Sequence, residues 1–401
     1  MKTSKKSAKP ASNSKIHMSR VLAKLKTHCS RLLLVLLLLP ILSSAWGQVV
    51  GLAALLANPT TTFDQLPGWG QDDLQAFLPA LLQSCQALRN DADLTGLCQN
   101  FQDVAATDTK RLRSLIEKHF VAQMIRLPER DSGLLTGYYE PLLHGSRTRD
   151  ARYRFALYRK PPAALVNSSR ADITNDNVLT GYELLWVDDE MDAFFLQVQG
   201  SGRVMLPSGQ IVRVGYDGNN GAAYRAVGAV LLGQGEMERE QISMQSIRAW
   251  TLLNPEKVTD LLLSNPRYVY FRELPLVKAN DADKPAGPPG ALGVPLTPGR
   301  SIAADMSQIP AGWPVWLAPD TPLLLPSPNS GRAAVQAGQN REVGRLVLVQ
   351  DKGAAIEGVL RYDLFMGFGA EAERIAGVLK APVQAWLLVP RTVFMLQGKK
   401  N

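Results

Sequence analysis

Residues 345 to 369 read Arg-Leu-Val-Leu-Val-Gln-Asp-Lys-Gly-Ala-Ala-Ile-Glu-Gly-Val-Leu-Arg-Tyr-Asp-Leu-Phe-Met-Gly-Phe-Gly. Leu346 to Val349 predict a buried strand, and Asp351 stands at its exit beside Gly353, a residue free to take the positive φ of a tight turn. A second apolar run extends from Ile356 to Phe365 and holds Asp363 between Tyr362 and Leu364. A carboxylate inside an apolar strand costs free energy unless it is paired, hydrogen-bonded or neutralised, so Asp363 asks for a reason to be there.

Outward from this stretch, the last hundred residues add further short strands. Ser301 to Asp305 predicts one, with a third aspartate at its end, and Pro314 to Ala318 another; a helix is expected over Ala370 to Leu379 and a closing strand over Gln384 to Val389. Taken singly, each of Asp305, Asp351 and Asp363 reads as a turn or capping residue. Together they make a candidate acidic site. Asp281 to Gly299 is rich in Pro and Gly and marks a connector, and residues 319 to 344 read as a loop.

The first 31 residues carry nine Lys or Arg and no acid, followed by the apolar run Leu32 to Leu42. That run suits the core of a signal peptide better than the roughly 20 residues that cross a bilayer. Ser43-Ser44-Ala45-Trp46-Gly47 offers cleavage after Ala45 or Gly47, with an uncleaved anchor as the alternative because apolar residues resume at Val49. Removing the nine leader cations from 44 leaves 35 against 36 acids, so the formal net charge of +8 belongs to the leader. A basic nucleic-acid surface is therefore not expected. Cys85 and Cys98 would reach an oxidising compartment together, where a disulfide is the natural state and a pair of buried thiols the alternative. No metal site is visible, and His119 and His144 read as structural.

Between leader and acidic site the chain predicts helices within Asp72 to Gln102 and over Asp108 to Phe120, then a strand from Leu134 that breaks at Pro141, with Glu140 in a loop. Tyr153 to Tyr158 and Leu184 to Val187 follow as strands. Phe194 to Gln199, Arg203 to Leu206 and Gln210 to Tyr216 continue a meander, with Gln197 and Gln199 alternating onto one strand face and Gly200-Ser201-Gly202 as a loop that lets a ligand approach. Helices are expected over Ile242 to Leu253 and Glu256 to Leu263, and a strand over Tyr268 to Phe271. The fold class is α+β, mainly β, and short strands between Gly and Pro loops favour a barrel.

Leu135-Thr136-Gly137-Tyr138-Tyr139-Glu140-Pro141, Val198-Gln199-Gly200-Ser201-Gly202, Ser243-Met244-Gln245-Ser246-Ile247-Arg248-Ala249-Trp250 and Asp351 to Gly369 together resemble the membrane-bound lytic murein transglycosylase A family, including its small module named for three aspartates. The resemblance implies a double-psi β-barrel with a second, mostly β domain inserted, and a groove between them for peptidoglycan glycan strands. The implied division is a leader over 1–47, a helical N-terminal part of the barrel domain over 48–140, the insert over 141–274 and the C-terminal part over 275–401. It implies cleavage of the β-1,4 bond between N-acetylmuramic acid and N-acetylglucosamine without water and without a cofactor, in the periplasm. Complexes of wall synthesis are a further partner class that it admits. The family's lipoprotein signal has a cysteine directly after the apolar run; none is here, which points to a soluble periplasmic protein or an uncleaved anchor.

The resemblance assigns proton transfer to Asp363, whose apolar neighbours would raise its pKa, with Asp351 as helper. Asp305 would brace the site. Thr136, Tyr138, Tyr139, Gln199 and Ser201 are candidate groove residues, with packing at a domain junction as the plainer role of the tyrosines. Glu140 and Glu357 are rival acids, the latter expected on the solvent face of its strand. A muramidase that uses water, with Asp351 as base, and a binding protein without catalysis remain the alternatives.

Overall fold

The computed structural model describes residues 54–90, 92–275, 287–325 and 341–397, so the leader expectation for 1–47 and the start of the connector, 281–286, lie outside the described residues. The strands run, in chain order, Thr60–Thr61 (β1), Phe120–Ile125 (β2), Gly133–Glu140 (β3), Leu142–Ser146 (β4), Phe155–Tyr158 (β5), Glu183–Val187 (β6), Ser201–Met205 (β7), Ile211–Asn219 (β8), Val269–Glu273 (β9), Ser301–Ala303 (β10), Pro314–Pro319 (β11), Leu323–Leu324 (β12), Arg341–Glu342 (β13), Arg345–Asp351 (β14), Arg361–Phe368 (β15) and Lys380–Pro390 (β16). The helices used below are Phe77–Ala87 (α1), Ala92–Gln99 (α2), Thr109–His119 (α3), Arg170–Asn175 (α4), Glu190–Gln199 (α5), Val227–Gly233 (α6), Met244–Leu253 (α7), Val258–Leu263 (α8) and Ala370–Ala376 (α9).

One sheet has the order β1-β2-β16-β11-β14-β10-β15-β3, and β3 also pairs with β16, which closes six strands into a barrel. The expected double-psi β-barrel is thus present, with β10–β14 and β15–β3 as parallel pairs. A second, six-stranded sheet, β5-β6-β4-β7-β8-β9, is built from the chain between β3 and β10.

The continuous apolar run of β14 follows from burial on both faces. Directly opposed residues share a face, so Val347, Val315 and Leu387 point one way, as do Val349, Ile302 and Leu364. All six are fully buried and fill the barrel interior. Leu346, Leu348, Trp316 and Trp386 point outward and pack against Phe77, Leu78, Leu112 and Ile116 of α1 and α3. Removing the four apolar side chains of 346–349 from water is worth roughly 6–12 kcal/mol before entropy is counted, which fixes the register of this strand.

Buried polar contacts tie the N-terminal segment to the barrel. Arg300 donates to both oxygens of Asp72 at 2.8 Å, and the Leu346 N–H donates to Asp72 Oδ2 at 2.8 Å. Gln350 donates to the Ala80 carbonyl at 2.9 Å and to Ser84 Oγ at 2.8 Å. Helix α3 starts where Asp108 accepts the Arg111 N–H at 3.0 Å and so caps the helix N-terminus.

Cys85 and Cys98 form a disulfide joining α1 to α2 across 13 residues. Closing a loop of that length contributes about 3 kcal/mol through the unfolded chain. A Cys85→Ser, Cys98→Ser double variant is therefore expected to unfold at clearly lower urea than the oxidised parent, measured by circular dichroism. Equal midpoints would show that the bridge adds nothing.

Four local expectations are corrected. Phe194 to Gln199 is the second half of helix α5, because Asp189 caps it by accepting the Asp192 N–H at 2.8 Å and Gly200, at φ +80°, ends it in the left-handed region. Gly200-Ser201-Gly202 is consequently no open loop. Ser201 and Gly202 start β7, and a Cβ at Gly202 would stand 2.5 Å from Leu196 and 3.1 Å from the Pro141 carbonyl, so the close approach is to the chain itself. Glu140 ends β3 instead of lying in a loop, and Glu357 is exposed in a turn region rather than on a strand.

Candidate active site

Strand alternation explains how an acid sits in an apolar run. Tyr362 and Leu364 point into the barrel, so Asp363 and Phe365 point out of it. Ala303 of β10 pairs with Asp363 on one side and with Asp351 on the other, and Asp363 pairs in turn with Thr136 of β3. Asp351, Ala303, Asp363 and Thr136 thus form one row across four adjacent strands. Asp351 joins the row through a register shift: Ile302 opposes Val349 but Ala303 opposes Asp351, leaving Gln350 as the extra residue. A bulge of this sort re-aims a side chain.

Both carboxyls of the row are held by β3. Thr136 Oγ1 donates to Asp363 Oδ1 at 2.7 Å, and Tyr138, two residues on and on the same face, donates its hydroxyl to Asp351 Oδ2 at 2.9 Å. The Tyr138 ring packs on Phe365 with centroids 5.3 Å apart, beside Leu296, Ala303 and Ile356. Burial pushes the Asp363 carboxyl up to about 6, with the charge of Asp351 adding to the rise and Thr136 and Arg361 opposing it. Burial also raises Asp351, against hydrogen bonds from the Lys352 N–H, Tyr138 and the Ala291 N–H, the last at 2.9 Å to Oδ1. Both Asp351 oxygens are thus engaged by the protein.

Asp305 behaves differently. Burial would raise it, but hydrogen bonds from Ser307, Gln308 and the Gly358 N–H outweigh that and hold the carboxyl below its ordinary range. The Gly358 contact, at 2.8 Å, ties the end of β10 to the turn that leads into β15. It stays ionised and carries no proton to give near neutral pH.

The remaining candidates lie at the seam between the two sheets. Tyr139 is 3% exposed, its N–H donates to Gln199 Oε1 at 3.0 Å, and its hydroxyl meets Glu373 of α9. Ser201, at the start of β7, is buried. Gln197 and Gln199, expected on one strand face, diverge on the helix: Gln197 accepts from Arg170 at 2.7 Å, away from Tyr139. Glu140 is fully buried and paired with Arg203 at 2.9 Å and Arg213 at 3.3 Å, while Arg203 stacks on Phe368 at 3.8 Å. Burial and two guanidinium partners make Glu140 a fastening between barrel and insert. Sequence reasoning missed Arg203, Arg213 and Arg361; two arginines alternating on facing strands β7 and β8 are the signal that a buried acid was near.

Residues 134–272 match the family model described as the MltA specific insert domain, and residues 300–389 match the 3D domain. The chain is similar to a solved structure of the lytic transglycosylase LtgG of Burkholderia pseudomallei, at 42% identity, covering 82% of this chain and 94% of that one with a TM-score of 0.56.

The chain belongs to the membrane-bound lytic murein transglycosylase A family.

The family member of Escherichia coli K12 is 34% identical over 255 residues, which span 63% of this chain and 64% of that relative. A solved structure of E. coli MltA with bound chitohexaose is 28% identical, with a TM-score of 0.62, covering 78% of this chain and 90% of the other. The 3D match takes in Asp305, Asp351 and Asp363, and the insert match takes in Thr136 to Glu140 and the second sheet up to Arg272. The family's relatives are named as membrane-bound; among the described residues no helix is long and apolar enough to cross a membrane.

Proposed function

We propose that this protein is a lytic transglycosylase that cleaves the β-1,4 bond between N-acetylmuramic acid and N-acetylglucosamine in peptidoglycan, with Asp363 as acid and then base. The observation that carries the reading is one carboxyl, Asp363, raised to about 6 on the outer row of the barrel, beside an Asp351 whose oxygens are both engaged. The named activity of the relatives and the bound chitohexaose in a neighbouring structure support it.

In this mechanism Asp363 gives its proton to the glycosidic oxygen and the bond from muramoyl C1 to that oxygen breaks, releasing the N-acetylglucosamine end as an alcohol. The C6 hydroxyl of the same muramoyl residue attacks C1, and its proton returns to Asp363. No water enters, and the product carries a 1,6-anhydro ring. A retaining or inverting hydrolase needs a second carboxyl as nucleophile or base. Asp351 is poorly suited to that, because Tyr138 and Ala291 hold its oxygens; it keeps Asp363 protonated by like charge. Thr136 orients the acid. Tyr139, Gln199 and Ser201 set the seam, and Asp305 holds the strand ends. The division near residues 140 and 274 follows from this reading, as does a periplasmic location.

Two outcomes check it. Because Asp363 must be protonated to act, the rate is expected to fall as pH rises through about 6. A Tyr138→Phe variant removes a hydrogen bond that lowers the Asp351 pKa. Asp351 then stays neutral to higher pH, its push on Asp363 weakens, and the descending limb moves to lower pH. Turnover of labelled peptidoglycan between pH 4.5 and 8 measures both. A limb that ignores Tyr138→Phe would remove Asp351 from the proton relay. Treating the digest with borohydride tests the reaction type: anhydro ends resist reduction, whereas hydrolysed muramic acid ends are reduced.

A further inference from the structure

The insert holds a cavity of about 350 Å³ that the cleavage mechanism does not use. Its walls are helices α4, α5 and α8 with strands β5 and β6, and it is lined by Arg149, Arg154, Arg170 and Glu190 together with aromatic rings such as Trp186 and Tyr268. Arg170 is 5% exposed. It donates to the Asn265 carbonyl at 2.6 Å, to Gln197 Oε1 at 2.7 Å and to the Arg267 carbonyl, and lies over Phe194 and Tyr268; among the described residues it has no ion-pair partner. Burying a guanidinium against neutral oxygens is expensive, and here it lowers Arg170 to about 10, still protonated at neutral pH. Arg149 stacks on Trp186 and Arg154 on Phe155, both on the exposed rim and neither in an ion pair among the described residues. Three guanidinium groups and one carboxyl thus line a single cavity.

We infer that this cavity binds the peptide stem of peptidoglycan, a short peptide bearing several carboxylates and one free amine. Guanidinium groups match carboxylates with paired N–H donors, and Glu190 is placed to take the ammonium. The aromatic walls cover the aliphatic parts.

The position suits a substituent of the cleaved glycan, and in this respect the inference rests on the proposed function. Helix α5 joins the two sites: Gln197 touches Arg170 in the cavity, and Gln199 holds the Tyr139 N–H beside Tyr138 and Asp351. The whole helix is about 15 Å long. A four-residue stem, at about 3.5 Å per residue, is about as long as this helix.

The test measures binding by calorimetry on the full chain, apart from cleavage. The probes are the synthetic stem tetrapeptide N-acetyl-L-alanyl-γ-D-glutamyl-diaminopimelyl-D-alanine, the same peptide with its carboxyls amidated, an unrelated N-acetylated all-L acidic tetrapeptide, and chitohexaose. The stem tetrapeptide is expected to bind and its amidated form not to. An Arg149→Ala, Arg154→Ala double variant, altered only at the rim, should weaken stem binding by about tenfold or more while leaving chitohexaose binding unchanged. Arg170→Gln should weaken it further if the variant keeps the parent circular dichroism. Absence of stem binding by the parent, or undiminished binding by the rim variant, overturns the inference. Equal binding of the all-L peptide overturns the stem assignment in favour of an acidic protein partner. None of these outcomes bears on Asp363, whose role is judged by cleavage products alone.

Discussion

Asp363→Asn is expected to cut release of 1,6-anhydromuropeptides from purified peptidoglycan by about 10²–10⁴-fold, the contribution of a positioned general acid, and to do so without unfolding the protein. The amide keeps the shape of the carboxyl and can still meet Thr136, but has no proton to give at any pH in the working range. A stability measurement separates this from structural damage. The folded pKa of Asp363 lies above its unfolded value, so the ionised group opposes folding once pH passes from the unfolded value towards about 6, and its effect is full above that. Asn carries no charge. The variant should therefore melt at a higher temperature than the parent at pH 7.5 and show little difference at pH 4. Loss of activity with a gain in stability is the signature of a group kept for chemistry. An Asp363→Asn protein that melts lower at pH 7.5, or retains full activity, would contradict the assignment.

The largest effect on stability is expected at Glu140. Its carboxylate is fully buried and lies between Arg203 and Arg213, themselves nearly buried. Glu140→Ala leaves two guanidinium groups without their carboxylate, and breaking a buried pair from one side costs about 3–5 kcal/mol. Urea unfolding at pH 7 reads this as a lowered midpoint with a similar slope. Because Arg203 also stacks on Phe368, which pairs with Glu140 from the far end of the Asp363 strand, the variant should lose activity as well. An Arg203→Met, Arg213→Met, Glu140→Leu triple variant, which removes the charges together, should recover much of the stability. A loss below about 1 kcal/mol for Glu140→Ala would show that the seam is held by other contacts.

Much of the barrel was readable from residues because β14 is buried twice over, and burial on both faces leaves an uninterrupted apolar run. The acid at 363 was readable for the opposite reason: a single charge in such a run stands out. What the sequence concealed depends on partners far along the chain. The Asp351 side chain enters the row only because Gln350 is an extra residue, and that extra residue is tolerated because Ser301, Ala80 and Ser84 satisfy its amide. No local pattern announces this. Phe194 to Gln199 misled because its apolar and polar residues alternate as a strand would. The deciding information lay outside the segment, in the capping side chain of Asp189 and the terminating Gly200. Glu140 was misjudged from the proline that follows it, whereas the arginines that claim it arrive 63 and 73 residues later.

Digesting purified peptidoglycan in water enriched in oxygen-18 and weighing the products by mass spectrometry tests the chemistry most directly. Cleavage in which the muramoyl C6 hydroxyl is the nucleophile takes up no solvent oxygen, so every new muramoyl end should be an unlabelled anhydro ring, one water lighter than a hydrolysis product. New ends that carry one oxygen-18 and a reducible group would contradict the mechanism and make the protein a hydrolase.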